Sequence, residues 1–217
     1  MKDGRLRLYS VATSSASHRV RIALGLKAVP YEYVAVPLFA QDSEEFAAYR
    51  ALNPQGLVPA LVHGGAVITQ SLAIIEYLDE TVRSPPLLPA DALGRARVRA
   101  LAQAVVSEIQ PLQNLRVERH LRTALGHSEA DGLAWRRHWI NVGLAALERM
   151  LQASATASFC HGDTPTIADC CLVPQVFAAR RWGVDLAPFP TVAAIAERAG
   201  TLQAFRDAEP QRQPDAR

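Results

Sequence analysis

Every strand signal in this chain lies on one side of a single proline cluster. Ser84-Pro85-Pro86-Leu87-Leu88-Pro89 breaks any regular pattern, because proline lacks an amide donor and restricts the residue before it. Before the cluster, strand and helix patterns alternate. After it only helical periodicity remains. A chain of 217 residues divided in this way is expected to form two domains, 1–83 and 90–217, each able to bury a core.

In the first part, Leu6, Leu8 and Ser10 alternate with Arg5, Arg7 and Tyr9, which predicts a strand. Ser14 or Ser15 then caps a helix that runs through Lys27. Pro30 separates that helix from Tyr31-Glu32-Tyr33-Val34-Ala35-Val36, a second strand. A short helix around Phe46–Tyr49 leads to Asn53-Pro54, and a β segment starts in Leu57-Val58-Pro59-Ala60-Leu61. Ala60–Val62 and Ala66–Thr69 flank Gly64-Gly65, a hairpin turn. Gln70-Ser71 opens a helix to Glu80 whose Leu72, Ile75 and Leu78 face the sheet. The order βαβ, helix, ββα predicts an α/β thioredoxin-like N-terminal domain.

Beyond the prolines the expected domain is all-α, with helices over 92–125, 129–152 and 166–181 and a shorter one near 191–199. Pro111 should kink or divide the first of these. Thr166-Ile167-Ala168-Asp169 reads as a capping box with aspartate in the usual glutamate place. The last residues are polar, include Pro210 and Pro214, and are expected to form a loose tail.

Composition narrows the function. A 49% apolar fraction argues for a soluble globular protein, and a net charge of +2 without blocks of like charge argues against nucleic acid. Arg95, Arg97 and Arg99 mark a solvated helix face. No apolar region follows Met1-Lys2-Asp3-Gly4-Arg5, so no leader is expected. No apolar run is long enough to span a membrane. Cys160, Cys170 and Cys171 have poor metal-ligand spacing and fit buried reduced thiols, hence a cytoplasmic location and no metal.

Three stretches carry the chemistry. Ser14 offers a hydroxyl at a positive helix end, Val58 a strand edge beside a proline, and Gln70-Ser71 a second positive helix end. Together they suit a small acidic peptide with a thiol in its middle. Taken singly, each is more often a plain cap or a strand-start proline.

In register they are more specific. Ser14-Ser15-Ala16-Ser17-His18-Arg19-Val20-Arg21-Ile22-Ala23-Leu24, Asn53-Pro54 through Val58-Pro59 and Gln70 through Leu78 resemble the zeta class of the cytosolic glutathione transferases. Ile109-Gln110-Pro111-Leu112-Gln113-Asn114-Leu115 and Ala168 through Gln175 extend the likeness over nearly the whole chain. The resemblance implies glutathione as cofactor and Ser14 as thiol activator, with Ser15 beside it as a cap or secondary contact. It implies a cis Val58-Pro59 bond, main-chain contacts from Val58, and capture of the γ-glutamyl carboxylate by Gln70 and Ser71. Gln110 and Asn114, four residues apart, would project from one helix face toward the cofactor and substrate. Arg181, Arg116 and Arg19 are the candidates for a dicarboxylate substrate, and His18 or Arg19 for raising the local potential.

The activity implied is a glutathione-dependent cis–trans isomerisation of a maleyl-substituted keto acid, with maleylacetoacetate first and maleylpyruvate second. Conjugation or dehalogenation of α-halo acids uses the same thiolate, and a non-catalytic interaction protein keeping this fold is the rival from another class. A homodimer follows from the resemblance. Two positions depart from the zeta pattern: Ala16 stands where cysteine is common, and Thr13 where a basic residue is usual.

Overall fold

In the computed structural model, which describes residues 5–152 and 155–216, the N-terminal alternation becomes strand β1 (Leu6–Ser10). Leu6, Leu8 and Ser10 are buried and Arg7 is exposed. β1 pairs in parallel with β2 (Tyr31–Ala35) and antiparallel with β3 (Ala60–His63), and β4 (Ala66–Thr69) completes the order β2-β1-β3-β4. A parallel pair needs a crossover, here helix α1 (Ser15–Leu26). The β3–β4 turn places Gly64 at φ 56° and Gly65 at φ 91°, backbone that side chains other than glycine rarely adopt.

The sheet buries both faces. On one, α1 is buried continuously from Ser17 to Leu24 and packs against α3 (Ser71–Thr81). Leu8, Val20, Ile22, Leu24, Leu61, Ile74, Ile75 and Leu78 form this core. On the other, Phe46 and Tyr49 of α2 (Glu44–Leu52) close over Val11, Val36, Val58 and Ala60, and Tyr9 stacks on Tyr49 at 5.6 Å. Lys27 ties the end of α3 to the proline segment through Asp79 (2.5 Å), the Val82 carbonyl (2.6 Å) and the Pro85 carbonyl (2.5 Å).

This unit runs to Pro86 and also takes in the chain from Thr201 onward. The expected second domain of 90–217 therefore ends too late, and the expected loose tail is built structure. Helix α10 (Gln203–Asp207) packs on α1, and a 3-10 turn follows over Pro210–Arg212. The physical reason is Arg21, whose buried guanidinium donates to the Ala208 carbonyl at 3.0 Å. Met1–Gly4, on which the leader reading rests, lie outside the described residues.

The second unit, Leu87–Gly200, is helical: α4 (Ala92–Gln103), a π-helical stretch (Ala104–Ile109), α5 (Gln110–Leu112), α6 (Leu115–Thr123), α7 (Glu129–Leu151), α8 (Ile167–Arg181) and α9 (Pro190–Gly200). Pro111 divides the expected 92–125 helix, since its ring and missing amide disrupt the helical ladder one turn earlier. The π-helical backbone precedes it directly. Gly143 on α7 lets that stretch approach: a Cβ there would lie 2.1 Å from Ile109 Cγ1. Cys160, Cys170 and Cys171 are buried and take part in no disulfide. Among the described residues no helix is long and apolar enough to cross a membrane.

The capping box at the start of α8 forms with aspartate in place. Asp169 Oδ2 accepts from the Thr166 amide and hydroxyl, both at 2.8 Å, and Oδ1 accepts from the Cys160 amide at 2.8 Å. Asp169 is fully buried, so removing its carboxylate strands three donors away from water. Asp169→Ala is expected to lower the unfolding free energy by about 3 kcal/mol, read from the urea midpoint. A midpoint equal to wild type would contradict this bonding pattern.

Candidate active site

Ser14 is the N-cap of α1. Its extended backbone (φ −74°, ψ 117°) ends a turn closed by its own amide to the Val11 carbonyl at 3.1 Å. Ser14 Oγ accepts from the Ser17 amide at 3.2 Å, which uses a lone pair and leaves the hydroxyl proton free to donate. Ser15 is the first residue of the helix and half-buried, as Ser14 is. Capping and donating are therefore compatible roles for one hydroxyl.

The α1 end is electropositive beyond its peptide dipoles, for Arg19 and Arg21 are both buried in it. His18 registers that field. Burial, then Arg21, then Arg19 push its pKa down to about 3, so it is neutral at physiological pH. The expectation that His18 adds positive charge is thus corrected.

Arg19 also differs from expectation. It is 1% exposed, and Nη1 donates to Ser71 Oγ at 3.0 Å, so it acts on the start of α3 and does not face a substrate. Ser71 is buried beneath that contact. Gln70, the residue before α3, holds φ 69° and ψ 118°, a region costing a non-glycine residue about 1–3 kcal/mol. Its exposed side chain donates to Gln55 Oε1 at 2.9 Å instead of capping the helix. Strain of this kind concentrates where a side chain must point at a ligand.

Val58 precedes a cis bond to Pro59, and the β3 ladder begins only at Ala60. The expected sheet edge is corrected: β3 lies between β1 and β4, so Val58 belongs to the unpaired entrance of an inner strand. The segment before it is held from within. Asn53 Nδ2 donates to the Leu57 carbonyl at 2.7 Å, and Tyr49 OH donates to the same oxygen at 2.5 Å.

In the helical unit, Gln110 and Asn114 do not share a helix face. Gln110 starts the short α5, whereas Asn114 is the extended N-cap of α6 and accepts from the Arg116 amide at 3.0 Å. The helix breaks between them, with buried Gln113 locked to Gln175 by reciprocal amide bonds of 2.7 and 3.1 Å. Arg116 is exposed on α6.

Arg181, at the end of α8, lines a cavity of about 320 Å3 with Arg136, Arg137, Arg180, Trp182 and Glu118. Arg136 lies 3.7 Å from the Trp182 ring centre and pairs with Glu118, while the Arg181 guanidinium stands 5.3 Å from the same ring. The cavity is rich in arginine, matched in part by carboxylates. Sequence reading did not single out Arg136, Trp182 or Glu118; only the doubled arginines at 136–137 and 180–181 hinted at it.

With this geometry established, comparison with known proteins assigns the family. Models of the glutathione S-transferase N-terminal and C-terminal domains match residues 8–86 and 134–208. A maleylacetoacetate isomerase from Rhizobium meliloti is 51% identical, over 94% of this chain and 96% of its own. The holo structure of a maleyl pyruvate isomerase, described as a bacterial zeta-class glutathione S-transferase, superimposes with a TM-score of 0.93. It is 50% identical, covering 97% of this chain and 100% of that one. The chain is a zeta-class glutathione transferase. A maleylacetoacetate isomerase from Anaeromyxobacter dehalogenans, solved with GSH bound in its active site, gives a TM-score of 0.87 and 47% identity over 98% of each chain.

In this transferase the neutral His18 has a measurable signature. Below about pH 6.5 the unfolded chain takes up a proton that the folded one refuses until about pH 3. Its contribution to stability is therefore complete above that window and falls as the pH drops, by at most about 1.4 kcal/mol per pH unit. His18→Asn should show a shallower loss of urea midpoint than wild type on going from neutral pH to about pH 4. Parallel slopes would contradict the burial of a neutral imidazole.

Proposed function

We propose that this transferase is a glutathione-dependent cis–trans isomerase of maleyl-substituted keto acids, with maleylacetoacetate as preferred substrate and maleylpyruvate second. The observation that carries the proposal is the Ser14 hydroxyl, which caps α1 through its oxygen and keeps its proton to give. Near full-length similarity to proteins named for these two isomerisations supports the substrate class.

The residues present fit glutathione. Gln70 is held in a strained backbone at the opening of α3, where the first helical amides lack intrahelical acceptors and Arg19 adds charge. We assign the γ-glutamyl carboxylate to Gln70 and Ser71, and the cysteinyl main chain to Val58 at the entrance of β3. When bound, glutathione supplies a thiolate that adds to the conjugated double bond, permits rotation about the resulting single bond, and is expelled unchanged.

The chain's part in this is electrostatic and positional. Ser14 donates to the sulfur and favours its ionised form, helped by the α1 dipole and by Arg19 and Arg21. Ser15 is assigned a supporting contact in the same turn. In the helical unit, Arg181 and its cavity, with Arg116 as a second cation, are assigned to carboxylate recognition. Gln110 and Asn114, proposed as further cofactor contacts, act independently because the helix breaks between them. A homodimer and a cytoplasmic location complete the proposal, and family membership supports both.

Maleylpyruvate is kept as second substrate because the similarity to a maleylpyruvate isomerase matches that to a maleylacetoacetate isomerase. Turnover of each maleyl acid, with and without glutathione, decides the matter. Isomerisation should require glutathione and leave its concentration unchanged over many turnovers. Turnover at the same rate without glutathione, or loss of glutathione in step with product, would refute the assignment.

A further inference from the structure

The turn that presents Ser14 is tied to the opposite end of the chain. Ala12, two residues before Ser14, is 1% exposed, and both of its backbone polar groups end on charged side chains. Its amide donates to Asp215 Oδ2 at 3.0 Å, and its carbonyl accepts from Arg21 Nη2 at 3.0 Å. Arg21 Nη1 also reaches the Val11 carbonyl at 3.4 Å, the same oxygen that receives the Ser14 amide. Bonds of this kind to charged partners are stronger than those between neutral groups.

Asp215 is itself held. Its second oxygen accepts from Tyr33 OH at 2.5 Å, and burial together with that bond raises the Tyr33 pKa, keeping the phenol a donor. The segment carrying it is fastened by Arg21 Nε to the Ala208 carbonyl. The Gln213 amide fastens it further, donating to the carbonyls of Asp207 (2.8 Å) and Glu209 (2.9 Å). All of these residues belong to one compact unit.

We propose that Asp215 is a positioning residue: the C-terminal segment folds back so that its carboxylate fixes Ala12, and through that turn sets the Ser14 hydroxyl against the bound thiol. The inference rests on the reading of Ser14 as thiol activator. It adds that the last turn of the chain, far from Ser14 in sequence, is part of the machinery for activity. Small displacements of a positioned group are costly in rate, so loosening the turn should harm turnover more than binding.

The test compares Asp215→Ala, Asp215→Asn and Tyr33→Phe with wild type. Asn keeps an oxygen for the Ala12 amide, and Phe removes only the outer tie. Asp215→Ala should lower kcat about tenfold with KM for glutathione changed less than about twofold. At saturating glutathione it should also move the acid limb of the pH profile of kcat/KM for the maleyl substrate upward by about one unit. Asp215→Asn should recover most of kcat, Tyr33→Phe should lose about twofold, and Arg212→Ala, which breaks only an exposed pair with Asp207, should match wild type.

Hydrogen exchange of the Ala12 amide, measured without glutathione, should accelerate about tenfold in Asp215→Ala. Wild-type kcat and pH limb in that variant, whatever its melting temperature, would overturn the proposal while leaving the isomerase reading intact. Unchanged Ala12 exchange would also overturn it. A wild-type enzyme without glutathione-dependent turnover would sink both together. Should Asp215→Ala fail to fold, Asp215→Asn and Tyr33→Phe decide alone, and wild-type kcat, pH limb and Ala12 exchange in Tyr33→Phe would then overturn the proposal.

Discussion

One buried guanidinium organises the turn that carries Ser14. Arg21 is 2% exposed, and an unpaired charge at that depth would be prohibitive. It is accommodated because its donors meet the Ser10 hydroxyl and the carbonyls of Val11, Ala12 and Ala208. Burial lowers its pKa to about 10, against the opposing pull of Tyr33, Tyr31 and Asp215, so it stays a cation at neutral pH. From one position it holds the end of β1, shapes the turn before Ser14 and anchors the C-terminal segment. The positive potential at the start of α1 is a by-product of the same structural necessity.

The helical unit uses polar contacts in its interior in a similar way. Asp169 gathers three donors at the start of α8, and Gln113 and Gln175 satisfy each other across buried surface. Glu148 accepts from the amides of Thr191 (3.0 Å) and Val192 (2.9 Å), closing the start of α9. Hydrophobic burial drives such a bundle together, but groups like these fix which helix face meets which, since a mismatched packing would strand them.

What was legible in the sequence was local. The alternation of Leu6, Leu8 and Ser10, the Gly64-Gly65 turn, the Thr166–Asp169 capping box and the break at Pro111 each depend on neighbours a few residues away. What was not legible depends on partners distant in the chain. Nothing in the composition of a polar, proline-bearing tail shows that Asp215 meets Ala12 and Tyr33. Arg19 looks like a free cation until Ser71 is placed against it, and His18 like a charge until burial is known. Gln110 and Asn114 shared a face only while the helix was taken as continuous. Ser14, Val58, Gln70 and Ser71 are proposed for the site because a family pattern constrains them jointly; singly, each is an ordinary cap or strand-start residue.

Function in this account reduces to the protonation state of one sulfur beside one hydroxyl. The direct measurement is a pH titration of thiolate absorbance for glutathione bound to the wild-type protein and to Ser14→Ala. The account predicts that the bound thiol ionises at least about one unit below the usual cysteine value of about 8.5 in wild type, and that this depression largely disappears in Ser14→Ala. A bound thiol that titrates as it does in water, or one equally acidic with and without the serine hydroxyl, would contradict it.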